Sequence, residues 1–284
     1  MKAGAMLRLR GAADLLANNQ HLYSELCARP PGSRDNPTPR AIYKDVHRTF
    51  GITPEEAKTC QRCGRLRRIL EAYSCLNQRL GYCQGLNFVA AQAMKMISGT
   101  DGEPRQNDGE ECSFWLFVAM VQPLQGFWLP GTPAYLTAVQ ILRTEVETWM
   151  PDFHTLLGRH SLDVSMFSSS WLHCMYAYPG SLPPAVQAFA WDSMLHDGSE
   201  ALFRMALALL QIIKSHLPIE PEAETILAMC KAPPPEVVPL EAVEEAYRQT
   251  RISGDGADRA RALCEDYGDT WANRREGRSG VALE

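Results

Sequence analysis

Histidine is scarce in this sequence, seven among 284 residues, which leaves little for imidazole-based metal chemistry. Positive charge is not in excess either. Lys and Arg number 28 against 33 Asp and Glu, a formal charge of −5, so the chain lacks the field that draws a general nucleic-acid binder onto phosphates. Long apolar runs are missing: none approaches the ~18 residues of a membrane span, and the stretch from Met205 to Leu210 is broken by Gln211. The start, MKAGAMLRLRGAADLL, has no apolar segment of the secretory type. The nine cysteines, at 27, 60, 63, 75, 83, 112, 174, 230 and 264, are odd in number and form no spaced framework. These absences predict a reduced, soluble, intracellular protein.

What is present is apolar mass with a helical period. Hydrophobic residues make up 45% of the chain, enough for a large core and too much for intrinsic disorder. Leu66, Ile69, Leu70, Tyr73 and Leu76 fall on one helical stripe whose outer face carries Arg65, Arg67 and Arg68. Asp108, with Glu111 three positions on, predicts a helix start, and Pro123 its end. Further helices are predicted over Ala134 to Met150, stopped by Pro151, and from Pro183-Pro184 to Gly198. Asp197 and Glu200 predict another, through Leu202 to Ile213, with Asp197 as its cap. No long stretch alternates with period two, and the fold class is all-α. Gly99 to Gly109 reads as an exposed, mobile loop, and Lys231 to Pro239 as a polyproline-like connector. Leu240 to Arg251 suits an amphipathic helix, and the chain from Gly254 onward reads as a polar, frayed end despite Trp271.

Two short segments carry chemistry. The first, Ile42 to Phe50, has the pattern I-x-x-D-x-x-R, which sets Arg48 one helical turn beyond Asp45. A carboxylate there can hold part of the guanidinium while its tip stays free to neutralise phosphate charge. The second, Gly81-Tyr82-Cys83-Gln84-Gly85-Leu86-Asn87, places Y-x-Q between two glycines. The Gln84 amide both donates and accepts, so it can orient a water without titrating, and Gly81 and Gly85 let the backbone approach a partner closely. An arginine and a glutamine, with neither nucleophile nor metal ligands, describe assistance to phosphoryl transfer on another molecule. Either motif alone is common.

Together they make the sequence resemble the TBC-domain family, the GTPase-activating proteins of Rab small GTPases. The resemblance continues through LRRILEAYS at 66–74 and GYCQGLNFVAA at 81–91. It also includes EECSFW at 110–115, FSSSWL at 167–172, AWDSML at 190–195 and the segment from Gly198 to Leu210. It implies a two-lobed helical domain over 7–217, with lobes of about 7–125 and 126–217, followed by a helical extension and polar tail at 218–284. By resemblance, Arg48 is the arginine finger inserted at the γ-phosphate and Gln84 the glutamine finger that positions the attacking water. Asp45 orients Arg48 and Tyr82 shapes the loop of Gln84, with Ile42, Gly81, Gly85 and Asn87 completing the two motifs. The implied partner is a Rab-family GTPase in its GTP form. GTP and Mg²⁺ sit on that partner, leaving no cofactor on this chain. The implied setting is cytoplasmic, with recruitment to endomembranes open through the partner. Two departures stand out: the family's R-x-x-x-W is matched only by Arg10 to Asp14, with Asp in place of Trp, and the Pro expected after R-T-F is Gly51.

Other candidates carry less. Cys60-Gln61-Arg62-Cys63 is a C-x-x-C without the two further ligands zinc needs nearby, and reads as an ordinary pair of thiols. The arginines at 62, 65, 67 and 68 offer a phosphate or membrane patch, but read first as a solvated helix face, or as a surface for an acidic partner. His196-Asp197 invites an HD-type metal phosphohydrolase, which would have to recruit His160, His173 and Asp255. Trp115, Trp171 and Trp191 belong in the core. The principal alternative is a non-catalytic TBC-fold adaptor that binds a small GTPase; a helical scaffold with no GTPase partner would leave Asp45, Arg48 and Gln84 unexplained.

Overall fold

A computed structural model of the chain describes residues 11–29, 38–98 and 108–265. Every regular element among them is helical. The chain divides into two compact units, one comprising Met1–Gly131 with the chain from Cys264 onward, the other Thr132–Leu263.

The first unit contains α1 (Ala12–Asn18), α2 (Leu22–Ala28), α3 (Thr38–Thr49), α4 (Pro54–Thr59), α5 (Gln61–Leu76), α6 (Leu86–Ser98) and α7 (Asp108–Val121). Its centre is α7, whose residues Phe114 to Val118 are all fully buried. Against it pack α1, α5 and α6. The stripe read from the sequence on α5 faces inward as expected, with Leu66, Ile69 and Leu70 at 0–1% exposure. Helix α3 lies against both α5 and α6 through Ile42 and Val46, and so stands beside the turn that follows α5. Pro123 ends α7 only as an α-helix. The chain continues into a 3-10 turn over Gln122–Phe127, because a proline at the second position of a helical turn forfeits no hydrogen bond.

The second unit contains α8 (Pro133–Trp149), α9 (Pro151–Arg159), α10 (Ser165–Ser168), a π-turn over Ser169–His173, α11 (Pro184–Asp197), α12 (Glu200–His216), α13 (Ala223–Lys231), α14 (Leu240–Gln249) and, as far as Leu263, α15 (Gly254–Glu265). Helix α12 is its axis: from Ala201 to Leu210 every side chain but Arg204 is buried, the pattern of a helix enclosed on all sides. Around it pack α8, α11 and α14. Trp171 and Trp191 are fully buried in this unit and Trp115 in the first.

Two expectations are revised. Asp197 does not cap α12, whose first turn follows Ser199 without a side-chain bond. Its carboxylate instead accepts from Arg204 Nη1 at 2.7 Å and from the Tyr247 hydroxyl at 2.6 Å, fastening α14 to α12. The guanidinium of Arg204 also donates to the carbonyls of Tyr247 and Thr250 and lies 4.1 Å over the Tyr247 ring. The connector at 231–239 is pinned by buried Pro233, Val237 and Val238. The chain beyond Gly254 is ordered helix as far as Glu265, where Ser253 donates from its amide and hydroxyl to the buried Glu145 carboxylate. Arg10, most of the 99–109 loop and Trp271 lie outside the described residues.

Candidate functional site

The site is built in the first unit from the last turns of α3 and the loop 77–85 between α5 and α6. Helix α3 ends in a tight cap. Ile52 N–H donates to His47 O and Gly51 N–H to Arg48 O, both at 3.2 Å, the paired bonds of a Schellman motif. Its turning residue must enter the left-handed region, and Gly51 does so at φ 64°. The glycine found where the family has proline is thus the residue that ends the helix carrying Arg48.

The loop is held at both ends by asparagines. At its start Asn77 accepts from Leu80 N–H at 3.3 Å and donates to Gln125 Oε1 at 3.1 Å, while its carbonyl accepts from Gly81 N–H at 2.7 Å. At its end Asn87 is 1% exposed; its Oδ1 accepts from Gly85 N–H at 3.0 Å and its Nδ2 donates to Thr49 Oγ1 at 2.8 Å. The Thr49 hydroxyl in turn donates to the Asp45 backbone carbonyl at 2.8 Å. Gly85, buried at φ 106°, makes the bend that starts α6, and Gly81 turns at φ 63°.

Between these anchors lies Tyr82. Its hydroxyl is 2.8 Å from Asp45 Oδ2 and 3.3 Å from Asn87 Oδ1. With one proton to give, it serves the nearer and charged acceptor. Burial, then the hydrogen bond and charge of Asp45, push the phenol well above its ordinary value, so it stays a donor. Burial and the Asp45 charge likewise raise the Cys83 thiol. Asp45 keeps its other oxygen 3.9 Å from Arg48 Nη1, an ion pair without a regular hydrogen bond. Arg48 is 65% exposed against 12% for Asp45. Gln84 is exposed as well, and Ile42 buries the back of α3 at 0% exposure.

All eight residues expected from the sequence therefore fall in one region of one unit, with the two candidate fingers, Arg48 and Gln84, exposed. Thr49 was not singled out. Its place in R-T-F, one residue after Arg48, was the available signal. Glu110 also exceeds its reading as a motif letter, because it accepts from Tyr23 at 2.6 Å and from Arg68 at 2.6 and 2.8 Å, with Arg65 at 3.9 Å. The arginine run is therefore paired as well as solvated: Arg67 meets Glu71, and Arg62 stacks over Phe50. His196 pairs with the neighbouring Asp197, and no group of three or more potential metal ligands exists among the described residues.

Comparison with known proteins bears on the family and the fold. The Rab-GTPase-TBC domain family matches residues 17–218. TBC1 domain family member 2A of Homo sapiens is 31% identical over 200 residues, 68% of this chain and 20% of that protein. Growth hormone-regulated TBC protein 1 of Homo sapiens is 29% identical over 81% of this chain and 64% of its own length. The chain thus spans less than two thirds of these relatives. Among solved structures, the Chlamydomonas flagellar RabGAP TBC domain gives a TM-score of 0.66 at 22% identity, covering 92% of this chain and 78% of that one. The Ypt/Rab-GAP domain of Gyp1p gives 0.66 at 19%, covering 83% and 81%. At these identities the structural likeness establishes the fold.

Proposed function

The chain belongs to the Rab-GTPase-TBC domain family, and on that basis we propose that it accelerates GTP hydrolysis by a Rab GTPase through Arg48 and Gln84. Arg48 enters the partner's nucleotide site and neutralises charge developing on the transferring phosphoryl group. Gln84 holds the attacking water through its amide. GTP and Mg²⁺ belong to the partner, and the chain brings no cofactor. The observation that carries the reading is the Tyr82–Asp45 bond at 2.8 Å, which ties together the two segments bearing the exposed arginine and glutamine. Ordered donors that need no rearrangement at the moment of reaction are what electrostatic catalysis requires. An arginine supplied in trans is worth on the order of 10³ to 10⁵ in rate, about 4–7 kcal/mol of barrier. No helix among the described residues is long and apolar enough to cross a membrane, so the GTPase itself is the proposed route to endomembranes.

Single-turnover hydrolysis by a panel of GTP-loaded Rab proteins tests this. The expected result is strong stimulation of at least one member. Binding of a Rab without stimulation would establish the adaptor reading in its place.

A further inference from the structure

The Cys60–Cys63 pair has no part in the proposed GTPase chemistry, yet it is arranged as a reactive dithiol. Cys60 is the residue that opens α5, with non-helical backbone at φ −72° and ψ 114°, and Cys63 lies one turn on. Three residues advance about 4.5 Å along a helix and nearly complete a turn, leaving the Cα atoms about 5 Å apart. A disulfide spans roughly 4.4–6.8 Å. Each thiol perturbs the ionisation of the other. Their surroundings differ: Cys60 is partly exposed, whereas Cys63 is 2% exposed beneath it.

The Cys60 sulfur makes no regular capping bond. It nevertheless faces the amides of Cys63 and Arg62, which the first turn leaves without helical partners. Burial opposes its ionisation, but the Cys63 amide and thiol, then the Arg62 amide and guanidinium, outweigh it and hold the thiol below its ordinary value. Burial, then the Cys60 thiol, push Cys63 up to about 12. Cys60 is thus the thiol open to solvent and to attack on a small oxidant, with Cys63 shielded from solvent one turn away.

We propose that Cys60 and Cys63 form a peroxide-responsive dithiol, in which Cys60 is oxidised first and Cys63 closes a reversible disulfide. The Cys60 thiolate attacks one oxygen of a hydroperoxide; the O–O bond breaks, sulfur keeps the hydroxyl group, and the other oxygen leaves as hydroxide or alkoxide. That base takes the Cys63 proton. The Cys63 sulfur then attacks the Cys60 sulfenic sulfur, and the S–O bond breaks to release hydroxide, which is protonated to water. Two thiols are oxidised, and the peroxide is reduced to water plus water or an alcohol.

The test treats the reduced full chain with hydrogen peroxide at neutral pH, blocks free thiols, and cleaves after glutamate to release the peptide Ala57–Glu71, whose only cysteines are these two. The expected peptide is unalkylated, lighter by two hydrogens, and returned to its dialkylated form by prior reduction. Cys60→Ser should slow oxidation within this peptide by about tenfold or more; serine is a favoured opening residue for a helix, so this variant keeps the fold. Cys63→Ser should accumulate a dimedone-reactive Cys60. A peptide still dialkylated while other cysteines of the chain are oxidised would overturn the proposal. So would oxidation of Cys63 at the wild-type rate in Cys60→Ser.

Discussion

The Tyr82 hydroxyl donates to Oδ2 of Asp45 at 2.8 Å, across 37 positions of sequence, while the other oxygen of that carboxylate stands 3.9 Å from Arg48. Asp45 therefore faces the glutamine segment with one oxygen and the arginine with the other. Holding the loop is its stronger contact. The arginine is biased by charge and left free at its tip, which on the proposed function suits a group that finishes its bonds on a partner.

Arg48→Ala is expected to lower the stimulated hydrolysis rate by about 10³-fold or more, with GTPase affinity changed much less. Arg48→Lys should not rescue it, since an ammonium cannot present the planar fork of donors. Gln84→Ala should remove most of the stimulation. Single-turnover rates beside equilibrium binding separate the two effects.

Tyr82→Phe deletes one oxygen and leaves a largely buried carboxylate oxygen without its donor, at a cost of about 1–3 kcal/mol. Asp45→Asn disturbs the same bond. A double-mutant cycle in urea should show the two changes to be strongly non-additive, and stimulation should fall in both single variants.

Gly51→Ala tests the cap of the Arg48 helix. No atom lies within 4 Å of the added Cβ, so the cost is the backbone conformation alone, about 1–2 kcal/mol for a non-glycine residue at positive φ. The melting temperature should drop accordingly. Gly51→Pro, which restores the family's usual residue, should be worse, because proline is confined to negative φ and lacks the amide that meets Arg48 O.

Glu110 gives a pH signature. Burial alone would raise its pKa, but its bonds to Arg68 and Tyr23 hold it below the ordinary carboxylate value. A carboxylate depressed in the folded state contributes stability above its unfolded pKa and loses it as pH falls through the folded value. Urea midpoints should therefore decline below about pH 4.5, and less steeply in Glu110→Gln than in the wild type.

In the second unit, Arg204→Met should loosen α14, since it removes the bonds to Asp197 and to the carbonyls of Tyr247 and Thr250 together. Amide exchange over Leu240–Gln249 should quicken while that of α12, enclosed on all sides, changes far less.

Much of the architecture was legible in the sequence, because amphipathic period and proline position are local properties. The α5 stripe, the start at Pro184 and the stop at Gly198 all follow from them. The eight candidate residues were legible as motif letters. Their connections were not, since the partners Tyr82 and Asp45 or Asn87 and Thr49 meet only through tertiary packing. Asp197 shows the limit most clearly. A carboxylate ahead of a helix favours a local cap, yet Arg204 and Tyr247 offered a stronger charge-assisted arrangement that the sequence order does not reveal. The π-turn at Ser169–His173, followed by Met175 and Tyr176 at φ 49° and 59°, has no sequence signature. It is held by distant groups, with Trp191 Nε1 donating to Met175 O and the Tyr176 hydroxyl to Leu202 O.

The asparagine anchors and the Tyr82 strut leave the backbone beneath Arg48 and Gln84 little room to adjust. On the proposed function, the domain then works as a gauge of fixed width. A GTPase whose phosphate pocket and water site match that width is served by both groups at once. One whose pocket is shifted by a residue of loop length can meet only one of them, and is bound without being switched off. On that proposal, selection among partners rests on the depth of the fold, in the hydrogen bonds of Asn87, as much as on the surface that first touches the GTPase.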